Sequence, residues 1–261
     1  MSRYAAMFEG LARKKEGAFV PFWMLGDPDL KTCFERIVTL VESGADALEL
    51  GIPFSDPVAD GPVVQRAAMR ALHAHANLDA CFELLSKIRA KYPQVPIGLL
   101  TYANLCVARG EDWFYGQCAA SGVDSVLLAD VPTLEAEFFC KAAYKAGVDP
   151  VLIAPPNASD AQLKTIAQWS KGYVYGVTRA GVTGANETLV LSASALIEKL
   201  REYGAPPMML GFGISKPEHV KQALAQGAAG AISGSAIVQL GVDEPGRLGD
   251  FVKQMKQATR D

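Results

Sequence analysis

Apolar residues in this chain fall into short continuous runs, each set off by a glycine and separated from the next by stretches with apolar residues at helical spacing. Four segments align on one another: 43–50 (SGADALEL), 121–128 (SGVDSVLL), 146–153 (AGVDPVLI) and 226–233 (QGAAGAIS). In each, the glycine suits the left-handed position that ends a helix, and the run after it has the two-sided apolarity of a buried parallel strand. Further strands are predicted over 18–24, 96–100, 173–177 and 207–211. Helices are predicted over 30–43, 62–73, 78–91, 111–121, 134–146, 159–170, 192–203, 217–226 and 245–258, with an amphipathic helix in the first fifteen residues. Eight strands alternating with helices, with no linker or low-complexity break, favour one closed (β/α)8 TIM barrel over 1–261, a single domain, rather than a doubly wound open sheet.

Composition narrows the partners. The 261 residues are half hydrophobic and one-fifth charged, with a formal net charge of -3, so no basic excess exists to attract nucleic acid or an anionic membrane. Five cysteines, Cys33, Cys81, Cys106, Cys118 and Cys140, show no CxxC spacing, which fits a reducing cytoplasm better than a disulfide framework or thiolate metal site. Neither a signal peptide nor a membrane-length apolar run is evident.

In a barrel, chemistry belongs where strands end and βα loops begin. The polar residues there are Asp27, Glu49, Asp56, Asp60, Tyr102, Asn104, Asp130, Asn157, Arg179, Thr183, Ser215 and Ser235. Residues 48–62 (LELGIPFSDPVADGP) stand out. Glu49 lies between leucines in a strand expected to be buried on both faces, and burial there raises a carboxyl pKa toward a useful acid/base range. Pro53, Pro57 and Pro62 brace a loop that carries Asp56, read as a turn former, and Asp60. Asp27, before Pro28, and Asn157, after two prolines, also read as turn chemistry.

Near the end of the chain, 211–215 (GFGIS) and 233–237 (SGSAI) follow the seventh and eighth strands. Glycine there admits a ligand to the backbone, and N–H groups at a helix start make an anion site where barrels often hold phosphate. A dinucleotide fingerprint is excluded because Lys216 takes the place of its third glycine. The loop 179–185 (RAGVTGA) reads as a lid over a phosphorylated substrate.

Absences limit the reaction. No lysine falls at a strand's C-terminal end for a Schiff base. The histidines are His73 and His75, two apart on a helix, and His219 within another, so they do not converge as metal ligands or as a nucleophile's base. Acid/base catalysis by carboxylates remains.

The segments 21–28 (PFWMLGDP), 49–62, 102–104 (YAN), 129–132 (ADVP), 179–184, 211–215 and 230–236 (GAISGSA) closely resemble the alpha subunit of tryptophan synthase, and the match runs the length of the chain. The resemblance implies retro-aldol cleavage of indole-3-glycerol phosphate to indole and glyceraldehyde 3-phosphate, without metal or organic cofactor. It implies Glu49 as acid/base, Asp60 as acceptor of the indole N–H, and Tyr175 in support. Phe22, Leu100, Leu127 and Phe212 would wall the indole. Thr183 would bind substrate, and backbone N–H groups of Gly184, Gly213, Gly234 and Ser235 would hold the phosphate. The implied partner is a beta subunit, itself dependent on pyridoxal phosphate, which receives indole through a channel in an alpha2beta2 heterotetramer. The loops 53–60 and 179–183 would couple the two; the alternative is a stand-alone lyase that releases free indole. Met24 stands where the family usually has Thr, Thr101 where Met is usual, and 176–178 (GVT) replaces a more apolar run. These departures bear on lid closure and coupling more than on chemistry. Cys106, Val107 and Ala108 bear on the partner surface.

Overall fold

The computed structural model describes residues 2–177, 192–211 and 213–260. Its strands are β1 (Ala18–Met24), β2 (Leu48–Gly51), β3 (Ile97–Thr101), β4 (Ser125–Leu128), β5 (Asp149–Pro150), β6 (Ile153–Ala154), β7 (Val174–Val177), β8 (Met208–Gly211) and β9 (Gly230–Ser233). All pairings are parallel, in the order β5-β4-β3-β2-β1-β9-β8-β7-β6. Each crossover carries a helix, as right-handed βα units require.

The run predicted over 146–153 forms two strand segments rather than one. The two residues between β5 and β6 explain this. Val151 N–H donates to Val126 O at 2.9 Å, toward β4, while Leu152 O accepts from Tyr175 N–H at 3.0 Å, toward β7. One extended stretch is therefore handed from one neighbour to the other, and the ring closes as a (β/α)8 barrel.

The glycines of all four repeated segments are left-handed, with φ of 107° at Gly44, 76° at Gly122, 75° at Gly147 and 93° at Gly227. A side chain would be strained there, which is why the repeat keeps Gly at the helix-to-strand corner.

Alternation along the strands sorts two layers. Ala18, Val20, Ala47, Leu127, Val151, Tyr173, Met209 and Ile232 pack together inside the barrel, with Leu100, Ile153 and Tyr175 partly buried against them. The other face, with Phe19, Leu48, Leu50, Leu99 and Val126, packs under the helices. The helix Arg3–Lys14, capped by the Ser2 side chain, plugs the N-terminal end through buried Tyr4 and Leu11. Around this floor Lys256 lies 3.0 Å from Glu16 and 2.9 Å from Asp46, and Asp124 bridges Arg3 at 2.8 Å and Arg89 at 2.6 Å.

Two local readings change. The helix Pro62–His73 ends before His75, which has φ of 62° in the following turn, so the two histidines do not share a helix. Asp27 is no mere turn former. It is fully buried and takes Nε and Nη2 of Arg70 at 2.7 and 2.8 Å, fixing the helix Pro62–His73 to the loop after β1.

Candidate active site

Glu49 projects into the barrel from β2, level with Phe22 of β1 and Gly98 of β3. It is 2 % exposed. Burial drives its pKa up from the ordinary carboxyl range to about 7; Tyr173 Oη, which donates to Glu49 Oε1 at 3.1 Å, pulls the other way, and the charge of Asp60 adds to the rise. A carboxyl group so poised holds both forms near neutral pH and can give a proton and take one back.

The loop 52–61 brings Asp60 to the same mouth. Pro57 O accepts from Asp60 N–H at 3.1 Å, Gln65 Nε2 donates to Asp60 O at 2.8 Å, and the Asp60 carboxylate accepts a hydrogen bond from Tyr102. Burial again raises its pKa, against the Tyr102 bond. Tyr102 also touches the loop with its ring, 5.4 Å from that of Phe54, and receives Ala59 N–H at 3.3 Å. Asp56 is exposed and pairs with its neighbour Ser55, in keeping with a turn former. Asp130 accepts Ala103 N–H at 2.8 Å, at the start of the short helix Ala103–Val107.

Leu100 and Leu127 are paired neighbours on β3 and β4 and face inward. Phe22 lies between two glycines: a Cβ on Gly51 would stand 2.7 Å from its ring, and one on Gly234 would stand 3.9 Å from its Cβ. Tyr175 points at Gly211, where a Cβ would come within 2.1 Å of its hydroxyl. These bare backbone positions are what lets two aromatic rings flank Glu49. Met24, one of the departures, is buried with its terminal methyl 3.1 Å from a Cβ at Gly51, and Thr101 is buried with its hydroxyl unpartnered.

At the other side of the mouth, Gly213 is exposed with φ of 80° and open space where a side chain would be. Gly234 precedes the helix Ser235–Asp243. Among the described residues no side chain caps its first turn, whose N–H groups are the kind that receive an anion. Thr183, Gly184, Arg179 and Phe212 lie outside the described residues. A cleft of about 480 Å³ between the helices Ser235–Asp243 and Leu248–Gln257, lined by Gln239, Asp243, Arg247 and Phe251, contains neither Glu49 nor Asp60.

One member of this arrangement escaped the reading of the sequence, and another, Tyr102, was named there at a strand end without a role. Tyr173, not Tyr175, hydrogen-bonds Glu49, and Tyr102 holds Asp60. The signal for Tyr173 was its spacing of two from Tyr175, which puts both on one strand face. Among the described residues, no cluster of His, Cys, Asp and Glu could hold a metal ion.

The family model described as tryptophan synthase alpha chain matches residues 8–259. The chain belongs to the tryptophan synthase alpha chain family. The tryptophan synthase alpha chain of Vibrio parahaemolyticus is 54% identical over 267 aligned positions covering 100% of both chains. Among solved structures, tryptophan synthase subunit alpha of Legionella pneumophila superposes with a TM-score of 0.86 at 31% identity, covering 99% of this chain and 98% of that one. A tryptophan synthase chain of Mycobacterium tuberculosis gives 0.89 at 27% identity, covering 100% and 99%. Family membership makes the chain an enzyme subunit.

Proposed function

We propose that this alpha chain is a carbon–carbon lyase that cleaves indole-3-glycerol phosphate to indole and glyceraldehyde 3-phosphate, working with a beta subunit that consumes the indole. The observation that carries the reading is Glu49: buried inside the barrel mouth, with a pKa near 7, and within reach of the acid on the 52–61 loop.

The proton balance suits one carboxyl group. Protonated Glu49 gives its proton to indole C3, which makes the ring an indoleninium. The resulting carboxylate takes the proton of the adjacent side-chain hydroxyl as the carbon–carbon bond breaks; its electrons return to the ring and the aldehyde leaves. Asp60 accepts the indole N–H hydrogen bond and is most stabilising when that nitrogen carries positive charge, so it favours the transition state over bound substrate. Phe22, Leu100, Leu127 and Tyr175 supply apolar walls, and the phosphate sits on the N–H groups of Gly213, Gly234 and Ser235. Thr183, Gly184 and Phe212 are proposed to complete the site.

Indole release from indole-3-glycerol phosphate tests this directly. Glu49→Gln should lower kcat by about 10²- to 10⁴-fold with little change in KM; an unchanged kcat would refute the acid/base role. Adding a beta subunit should raise the rate. A full rate from the alpha chain alone would favour the stand-alone lyase instead.

A further inference from the structure

The loop that follows β8 turns at Gly213 and enters the helix Pro217–Ala225. Its N-cap, Lys216, makes no side-chain cap bond, and Pro217 has no N–H to satisfy. His219, one turn in, reaches back over the helix start. Its Nδ1 accepts Ser215 N–H at 3.2 Å, and the Ser215 hydroxyl lies 3.4 Å from the same nitrogen. The Ser215 amide thus donates to Nδ1, with the Ser215 hydroxyl gathered at the same atom.

This is the action of the Glu or Gln of a capping box, carried out by an imidazole nitrogen on the residue before the N-cap. On the other side of Ser215, the carbonyl of Ile214 accepts the buried Ser233 hydroxyl at 2.7 Å. Residues 214 and 215 are thus held from two directions. Gly213 has no side chain, and among the described residues nothing lies within 4 Å of where its Cβ would stand.

We infer that His219 is a positioning residue for substrate phosphate: by clamping Ser215 it presets the loop so that Gly213 N–H faces the anion. Its contribution is preorganisation, so removing it weakens binding of the phosphate end while the chemistry at Glu49 proceeds. The inference rests on the phosphate assignment made above. It also makes a specific claim about substitution: glutamine, whose side-chain oxygen reaches the same amide from the same helical position, replaces the histidine; alanine does not.

The test has two arms. In the first, the wild-type chain is titrated with glycerol 3-phosphate while backbone amide signals are followed by NMR. Gly213, Gly234 and Ser235 should shift together; silence at all three overturns the phosphate assignment and this inference with it. In the second, His219→Ala should raise KM for indole-3-glycerol phosphate, and the dissociation constant for glycerol 3-phosphate, by roughly two- to tenfold, the worth of one hydrogen bond. Its kcat should stay within about twofold, and His219→Gln should restore both constants. If the amides shift but His219→Ala binds glycerol 3-phosphate as the wild type does, the clamp is unimportant and the inference fails. A fall in kcat with KM unchanged, or a Gln variant as weak as the Ala variant, overturns it equally.

Discussion

The two ends of the barrel use the same acidic residue types in opposite settings. At the floor, carboxylates are met by cations: Asp46 and Glu16 share Lys256, and Asp124 lies between Arg3 and Arg89. At the mouth, Glu49 and Asp60 are met by tyrosine hydroxyls, and among the described residues neither pairs with a lysine or arginine. A cation would hold a carboxylate ionised through the pH range of the cell; a phenol stabilises it weakly and leaves burial to dominate. At the floor the Lys256 ammonium holds the Glu16 carboxyl below its ordinary range, while at the mouth burial carries Glu49 up to about 7. Function is kept at one end by withholding there the partner that secures the other.

Asp60→Asn keeps the shape but gives up the negative charge opposite the indole nitrogen, and kcat should fall by about 10²- to 10³-fold with the melting temperature nearly unchanged. A steady-state assay beside a thermal melt checks both. A large loss of stability with normal kcat would make Asp60 a structural residue like those below.

The reverse outcome is expected at the floor. Lys256→Met leaves Asp46 and Glu16 without the cation they share, at a cost of about 3–5 kcal/mol, or roughly 10 °C in melting temperature for a chain this long, while kcat stays within about twofold. The sign with pH follows from Asp46, whose pKa burial already raises. A carboxyl group with a folded pKa above its unfolded value is tolerated when protonated and penalised as pH rises through that range. The defect should therefore be smaller at pH 5 than at pH 8; a defect independent of pH would show that the charges are not what Lys256 serves.

How far the sequence foretold all this depends on range. The repeated Gly corner and apolar run revealed the barrel because both signals are local: a left-handed residue and a strand buried on two faces are decided by a few neighbours. Glu49 was legible for the same reason, since an acid between leucines is anomalous where it stands. Asp27 was misread because its partner Arg70 lies 43 residues away, and an aspartate before proline looks like a turn former until that arginine arrives. Tyr173 was undervalued likewise: a tyrosine in a predicted strand reads as ordinary packing, and only closure of the barrel brings it to Glu49 across 124 residues; Tyr102 was named at a strand end, but its pairing with the 52–61 loop, which its hydroxyl reaches at Ala59 43 residues away, was not. The splitting of the fifth strand was hidden too, because it reflects a change of neighbour rather than any residue's preference.

The smallest and sharpest expected effect concerns the hydrogen bond that sets Glu49's poise. Tyr173 Oη donates to the carboxylate and so lowers its pKa, while burial and Asp60 raise it, with a balance at about 7. Removing only the hydroxyl, in Tyr173→Phe, takes away the one favourable contact of the charged form and leaves the burial. The inflection in the pH profile of kcat assigned to Glu49 should move up by about one unit, the scale of a hydrogen bond to a charged group, with kcat at the optimum only modestly reduced. Tyr4→Phe is the matched control from the floor. The Tyr4 ring packs 5.4 Å from that of Tyr173, but its hydroxyl is spent on Ser125 at 2.9 Å, so its loss should lower stability without moving the inflection. Equal shifts in the two variants would mean that the barrel interior sets Glu49's proton affinity as one medium; a shift in Tyr173→Phe alone would tie it to a single directed bond.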